Sequence, residues 1–499
     1  MKLRIVVSFI LLLHLTTINA QDKIILTPES AVDIAMQKSY KIRMLEMGVK
    51  SSTMELKAKQ AALKTQVFMN LSTPDLQNIS ESKWNSDIGR DEIIRQNTRL
   101  WQSEISVMQP LIFFGYPTNG SVSLNYKLYQ YGQTSDEGTQ QTDFYNRLYL
   151  RFEQPFFLPN EMKNNLEEAE LELQDTKLEF LEDQMEIVYD VTLEYFNLFE
   201  RSLIENIYRE QIELLEEVYQ IANAFSLSDS AYSMDVSQIQ LELNNIKEKR
   251  LSVISSFREK LADMRQILRL NSEDTVVVSH KIDLVAVNVD VEQAITFGIQ
   301  NNPELKRLKV NERRSQISKE NEEGVNAFHM TLEATYGLEK KNESFQSLWE
   351  QFDNSNSIKL NAYVPLWDGG ERKYRVQAEE LKILQNDLES VEKEEDIRKN
   401  IRSNFTSMND YYNRALNMQK SIILAEEIGR AKINQYSNGQ GSLNNLLQTI
   451  EQVSDTKKNF RDVYDLYMKS LLKLKAATYY DFEKNISLID AFEMKYKNE

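Results

Sequence analysis

Four kinds of residue or segment are missing or scarce in this chain, and each shortage removes a class of function. There is no cysteine, which excludes disulfide staples, thiol nucleophiles and a lipid-modified N-terminal cysteine together. The three histidines are His14, His280 and His329, too scattered for a histidine-built metal centre or imidazole base. Beyond the first twenty residues no charge-free apolar run reaches the length of a membrane-spanning helix, so a chain that crosses a bilayer does so with strands. Basic residues are outnumbered, 59 Lys and Arg against 76 Asp and Glu. No basic stripe is present to neutralise phosphates, which argues against nucleic acid as a partner. Carboxylates abound, but no glycine-rich phosphate loop and no nucleophile with a recognisable base accompanies them. An enzyme is therefore not expected, nor is a catalytic, cofactor-binding or metal site.

What is present begins with residues 1–20. Lys2 and Arg4 precede an apolar run from Ile5 to Leu15, and small and polar residues end at Ala20. This is the layout of a cleavable secretory signal, and the run is too short for a membrane anchor. Losing Lys2 and Arg4 takes the formal charge from −17 to −19, with export as the expectation.

Internal repetition organises the rest. A first half, 21–287, opens with Thr27, Pro28, Glu29 and a helical stretch. A second, 288–485, opens with Val291 and Glu292 and continues through Asn302, Pro303 and Glu304, leaving 486–499 as a tail. Each opening leads into strands. In the second half Met330, Leu332, Ala334, Tyr336 and Leu338 alternate with polar residues, and Ile358, Leu360, Ala362 and Val364 repeat the pattern before Pro365 and Gly369-Gly370. Period two predicts an antiparallel hairpin with one apolar face. The first half shows strands at Thr65–Leu71 and Phe144–Glu153, separated by an insertion over about 77–143. Within it Val122, Leu124, Tyr126 and Leu128 form a further alternating run that the sequence does not place.

Long helices account for the remainder. Leu178, Leu181, Met185, Val188, Thr192, Tyr195 and Phe199 recur at heptad spacing, as do Ile401, Phe405, Met408, Tyr412 and Ala415. After a break, Leu443, Leu446, Ile450 and Val453 resume the pattern, followed by Phe460, Tyr464, Tyr467, Leu471 and Leu474. Such stripes are ordinarily buried core. From Glu371 to Tyr436 there is no proline and only Gly429 as a breaker, which predicts one helix on the order of 100 Å long. Globular helices are far shorter, so a spacer or tube wall is expected. Four strands cannot close a transmembrane barrel, which requires about eight, so several chains must share one.

The openings, the strand ending in Val364-Pro365-Leu366-Trp367-Asp368-Gly369-Gly370, and the break at Tyr436-Ser437-Asn438-Gly439 resemble the TolC family of outer-membrane efflux proteins. Gln154-Pro155-Phe156-Phe157 is the first-half counterpart of that strand-to-helix turn. The resemblance implies a mainly α fold with transmembrane β: a long coiled-coil-like α-helical barrel joined to a trimeric twelve-stranded β-barrel, with two structural repeats per chain. It implies a homotrimer in outer-membrane lipid with a long periplasmic portion. The partners would be a periplasmic adaptor protein and an inner-membrane transporter of RND or ABC type, in a tripartite efflux or type I secretion system. A periplasmic adaptor and a secreted structural coiled coil are the competing readings, and the alternating strands at 331–338 and 358–364 count against both.

Two helix breaks, near Phe225–Met234 and Tyr436–Leu443, are the expected periplasmic tips. At the second, Gly439 and Gly441 release the helix and Ser442 is placed to cap the next one. Aligned through this break, positions where the family carries gate aspartates fall on Asn445 and Gln448, so an amide constriction replaces an anionic ring. Asp235 and Tyr436 match residues that tie hairpins together in the family, and a contact between them is expected. An acidic lower wall would favour cations.

Overall fold

The computed structural model describes residues 23–85, 89–135, 140–228, 232–271, 274–278 and 282–490. The expected secretion signal at 1–20, His14, His280 and the end of the tail lie outside them.

Two openings set the chain direction. Strand β1 (Lys23–Leu26) leads into α1 (Pro28–Lys38) and α2 (Tyr40–Ala62). Thr27 Oγ1 accepts from Ser30 N at 3.1 Å while Ser30 Oγ accepts from Thr27 N at 2.8 Å, a reciprocal cap that supplies partners for orphan helix donors. Four long strands follow: β2 (Gln66–Asn85), β3 (Arg90–Phe113), β4 (Tyr116–Ser135) and β5 (Gln140–Phe156). Then come α3 (Glu161–Ser228), α4 (Ser233–Leu268) and the short β6 (Thr275–Val278), which lies parallel to β1. The second passage begins at Asp290, whose Oδ1 caps α5 (Val291–Asn301) by accepting from Glu292 N and Gln293 N. It continues with α6 (Pro303–Gly324), β7 (His329–Asn342), β8 (Asp353–Tyr363), α7 (Glu371–Ser437) and α8 (Leu443–Thr478). The two-residue strands β9 (Tyr480–Asp481) and β10 (Ile486–Ser487) pair with each other. No helix among the described residues is long and apolar enough to cross a membrane.

The chain divides into two compact units. The described residues of one, within 1–47, 178–306 and 391–499, are mainly helical, with a core on the heptad seams: Met185, Tyr195, Phe199, Ile401, Met408, Ala415 and Tyr464 are buried. Gly429 does not interrupt α7, because one glycine costs a helix only about 1 kcal/mol against Ala.

The other unit, 48–177 and 307–390, holds a single antiparallel sheet in the order β2-β3-β4-β5-β7-β8. This corrects the four-strand expectation. The insertion at 77–143 is neither a loop nor a separate feature: it lengthens β2 and β5 and supplies β3 and β4 as two further strands between them. The unplaced run Val122–Leu128 is the middle of β4. A two-residue turn, Phe114 (φ 48°) and Gly115 (φ 86°), joins β3 to β4 with Phe113 opposite Tyr116. Positive φ at both positions gives the hairpin twist that right-twisted strands need. In the same unit Arg313 grips Glu167 with two nitrogens, at 2.6 and 3.0 Å, holding α6 to α3.

Gly337 is buried opposite Tyr149, and a Cβ there would stand 2.5 Å from Tyr149 Cβ. Gly337→Ala is expected to cost about 1–3 kcal/mol through overpacking. Gly48→Ala, where an added Cβ meets nothing within 4 Å, should be neutral or slightly stabilising. Urea midpoints of the purified protein check both, and equal midpoints would contradict the close approach.

Candidate channel wall and helix tip

Alternation sorts the sheet into two unlike faces. One runs row by row through paired residues: Val67, Val107, Leu124, Leu150 and Tyr336 in one row, then Met69, Ile105, Tyr126, Leu148 and Leu338 in the next. On β8 the same face carries Ile358, Leu360 and Ala362. These side chains are not core: Val67 is 69%, Leu360 62% and Ile358 81% exposed. A contiguous apolar patch over six strands far exceeds what a surface in water tolerates.

The opposite face is polar and cross-linked by charge. Arg147 Nε lies 3.8 Å from Glu339, Arg151 Nε 3.4 Å from Glu333, and the Tyr149 hydroxyl donates to Glu104 at 2.8 Å. Tyr129 and Tyr145 stack at 4.2 Å, on facing positions of β4 and β5.

Aromatic rings bracket the apolar band. At the end of the sheet where β2, β5 and β8 connect to helices and β3 turns into β4, Phe113, Phe114, Tyr116, Phe156, Phe157 and Trp367 are exposed, Phe114 at 95%. At the other end Trp101 is exposed, and Phe144 meets Phe345 edge-on at 5.7 Å, where the turn Phe345–Trp349 folds back so that Asn146 Nδ2 donates to Leu348 O. Between Phe144 and Phe156 lie roughly twelve residues of β5, about 40 Å along the strand.

The strand-to-helix turns differ in the two passages. After β8, Gly369 (φ 67°) and Gly370 (φ 88°) reverse the chain, with Pro365 between strand and turn. Asp368 Oδ1 accepts from Gly370 N at 2.8 Å and Oδ2 from Arg372 N at 3.3 Å. Those two donors hold the Asp368 carboxyl below its ordinary pKa. Pro155, expected in the equivalent turn, is instead the second-to-last residue of β5, opposite Thr331. It sits just beyond Glu153, where β4 stops pairing, so its missing N–H is not needed there. The reversal falls to Phe157, at φ 66°.

At the helix tip the glycine break is a complete termination motif. Gly439 (φ 71°) donates to Tyr436 O at 2.9 Å and Gln440 to Gln435 O at 3.0 Å, the paired bonds that close a helix end through a left-handed residue. A Cβ on Gly441 would meet Tyr436 N at 3.2 Å. Ser442 occupies the N-cap position of α8 but makes no capping bond with its side chain, correcting that expectation. Its backbone is extended as an N-cap requires, and its carbonyl receives Leu446 N at 3.2 Å; the hydroxyl is turned elsewhere. At the other tip the break falls between Ser228 and Ser233.

The structure brings the two tips together. The Tyr436 hydroxyl donates to Asp235 Oδ2 at 3.0 Å, and Gln238 Nε2 donates to Asn444 Oδ1 at 2.8 Å. Tyr436 is only 2% exposed, in a cluster with Ile239, Leu243, Ile433, Leu443 and Leu446, and its ring meets Phe225 edge-on at 6.1 Å. Phe225 and Gln238 carried no sequence signal beyond their helical register. Asn445 and Gln448 lie on the exposed side of α8. His329 starts β7 and stacks on Tyr363 at 4.9 Å. Among the described residues no cluster of potential metal ligands occurs.

With these faces and tips described, the solved structures become informative. The Campylobacter jejuni outer membrane channel CmeC matches 94% of this chain and 89% of its own at 13% identity, with a TM-score of 0.66. The outer membrane protein VceC of Vibrio cholerae matches 90% and 95% at 12% identity, TM-score 0.65. The open state of the Neisseria gonorrhoeae outer membrane channel MtrE matches 94% and 94% at 9% identity, TM-score 0.62. This chain has the fold of these outer-membrane channels. By sequence, no protein-family model and no curated protein matches it.

Burial, then the bond to Asp235, raises the pKa of the Tyr436 phenol well above its ordinary 10.0. A folded pKa above the unfolded one gives stability that is full below about pH 10 and fades as pH rises further. Tyr436→Phe loses a hydrogen bond to a carboxylate, about 1.5–3 kcal/mol. The gap in Tm between the native protein and Tyr436→Phe should therefore be constant from pH 7 to 9 and narrow above about 10. A gap that widens in alkali would refute the assignment.

Proposed function

We propose that this protein is the outer-membrane channel of a tripartite efflux or type I secretion system: a passive homotrimeric duct without catalytic chemistry. Three copies share one barrel in outer-membrane lipid, and their long helices contribute to a tunnel in the periplasm. A periplasmic adaptor and an inner-membrane transporter of RND or ABC type supply the cargo and the energy. The observation that carries this reading is the exposed apolar face across all six strands, set back to back with a polar, charged face. Lipid on one side and water on the other is the environment that such alternation fits. A periplasmic adaptor or a secreted coiled coil would expose that face to water at a large cost.

In this reading each chain is two repeats, 21–287 and 288–485, each helix, strands and long helices. The tips formed by Asp235, Tyr436, Gly439, Gly441 and Ser442 are the periplasmic gate, with Asn445 and Gln448 as an amide constriction that lacks the charge to bind divalent cations. The bond from Tyr436 to Asp235 holds the resting, closed arrangement.

Adjacent residues on β8 test the sidedness. Leu360→Arg puts a charge on the lipid face, costing about 2–4 kcal/mol at mid-membrane, and should remove the protein from the outer-membrane fraction. Asn361→Arg, on the polar face, should leave it there. Equal amounts of both variants in that fraction would count against the membrane wall.

Alanine at Asp235 or Tyr436 should raise the resting conductance of the purified channel in planar bilayers. Unchanged conductance in both variants would remove these residues from the gate.

A further inference from the structure

The number of strands bears on how wide such a channel is. We infer that β3 and β4 are full wall strands, so that three copies of this chain close an eighteen-stranded barrel, about one and a half times as wide as the twelve-stranded one expected from four strands per copy. This rests on the trimeric-channel reading above.

Three observations support it. First, the ladder runs on across all four strands. β2 pairs with β3 from Gln66 to Asn85 with one bulge between Ser72 and Asp75, β3 with β4 from Gln96 to Phe113 with one between Pro110 and Ile112, and β4 with β5 from Ser121 to Thr134, so pairing resumes after each irregularity and the hairpin does not peel away. Second, β3 and β4 alternate in phase with the rest. Ile105 and Val107 on β3, and Val122, Leu124 and Tyr126 on β4, share the apolar face, while Glu104 and Lys127 share the polar one. A hairpin lying in the mouth or over the outside of a smaller barrel would have no reason to keep both faces in phase.

Third, the band shifts as it crosses the sheet. It centres on Met69 in β2 and on Leu360 in β8, but the row through Met69 reaches β8 at Asn354. The offset is roughly six residues over five strand pairings. At about 3.3 Å per residue and 4.8 Å between strands, a level belt then requires strands tilted by about 40°. Closed barrels tilt by about 35–45°. At that tilt the stretch of β5 between its aromatic ends rises about 30 Å, close to a bilayer's apolar thickness.

The open edges are suited to closure by further copies. Among the described residues β2 pairs only with β3 and β8 only with β7, and β2 leaves a helix while β8 returns to one. An edge β8 therefore meets the edge β2 of the next copy antiparallel. Every strand then has two neighbours, as an apolar medium demands. Eighteen strands leave an aqueous lumen, lined here by the face bearing Lys127, Arg147, Arg151, Glu333 and Glu339. Passage of wide or hydrated cargo would then not be limited at the outer-membrane end.

The absence of cysteine allows a clean test. Full-length protein with single cysteines at Ile105, Leu124, Leu150 or Lys127 is labelled with bimane and reconstituted in phosphatidylcholine vesicles with brominated acyl chains. Labels at 105 and 124 should be quenched at least severalfold more than that at 127, and as strongly as that at 150. Quenching at 150 without quenching at 105 and 124 would overturn the eighteen-strand wall while leaving the channel reading intact. No quenching at 150 would overturn the channel reading itself. Electron cryomicroscopy of the detergent-extracted protein gives the count directly: threefold symmetry with eighteen strands supports the inference, and threefold symmetry with twelve defeats it.

Discussion

Every backbone N–H and C=O that leaves water must find a partner, and a sheet in one copy of this chain leaves two rows without one, along β2 and β8. Much of the architecture answers to that shortage. A sheet with one apolar and one charged face cannot curl on itself with so few strands, and it cannot lie open in water. Its edges run in opposite directions and its band is staggered in a constant sense, which are the conditions for identical copies to complete it. In the proposed channel, homo-oligomerisation would answer the pairing requirement without a dedicated contact patch.

The helical unit obeys a different rule. Heptad seams bury Met185, Tyr195, Ile401 and Leu446, and non-directional packing of this kind sets distances between helices without fixing their ends. The tips are fixed by polar geometry. A glycine in the left-handed region closes α7, and one phenol buried among leucines and isoleucines is anchored to Asp235 across the break. A single buried hydrogen bond is worth little against the whole fold, yet it sits where helices end, beside the bond from Gln238 to Asn444. In the proposed channel, a gate that responds to a partner would be held by contacts of that size.

The two passages solve the same turn differently. After β8, two consecutive glycines and the Asp368 cap reverse the chain sharply into α7. After β5, Pro155 is kept inside the strand because its β4 neighbour has already stopped pairing, and Phe157 carries the strained φ instead. Exposed rings at these ends, Phe114 and Trp367 among them, suit a boundary where one side of a ring is wet and the other is not.

Periodicity alone determined the large elements: heptads specified the long helices, and period-two runs specified β7 and β8. The pair Asp235 and Tyr436 was legible only through resemblance, since 201 residues separate them along the chain and nothing local links them. The sequence does not place the insertion, because β3 mixes Glu104, Gln102 and Ser106 with its apolar residues, and only pairing with β2 and β4 shows which of them share a face. Ser442 was placed correctly as an N-cap, but where its hydroxyl turns is settled by its surroundings. Sequence fixes which residues prefer which backbone state, because that preference is local; strand count, register and side-chain partners required the tertiary structure, because they depend on segments that meet only after folding.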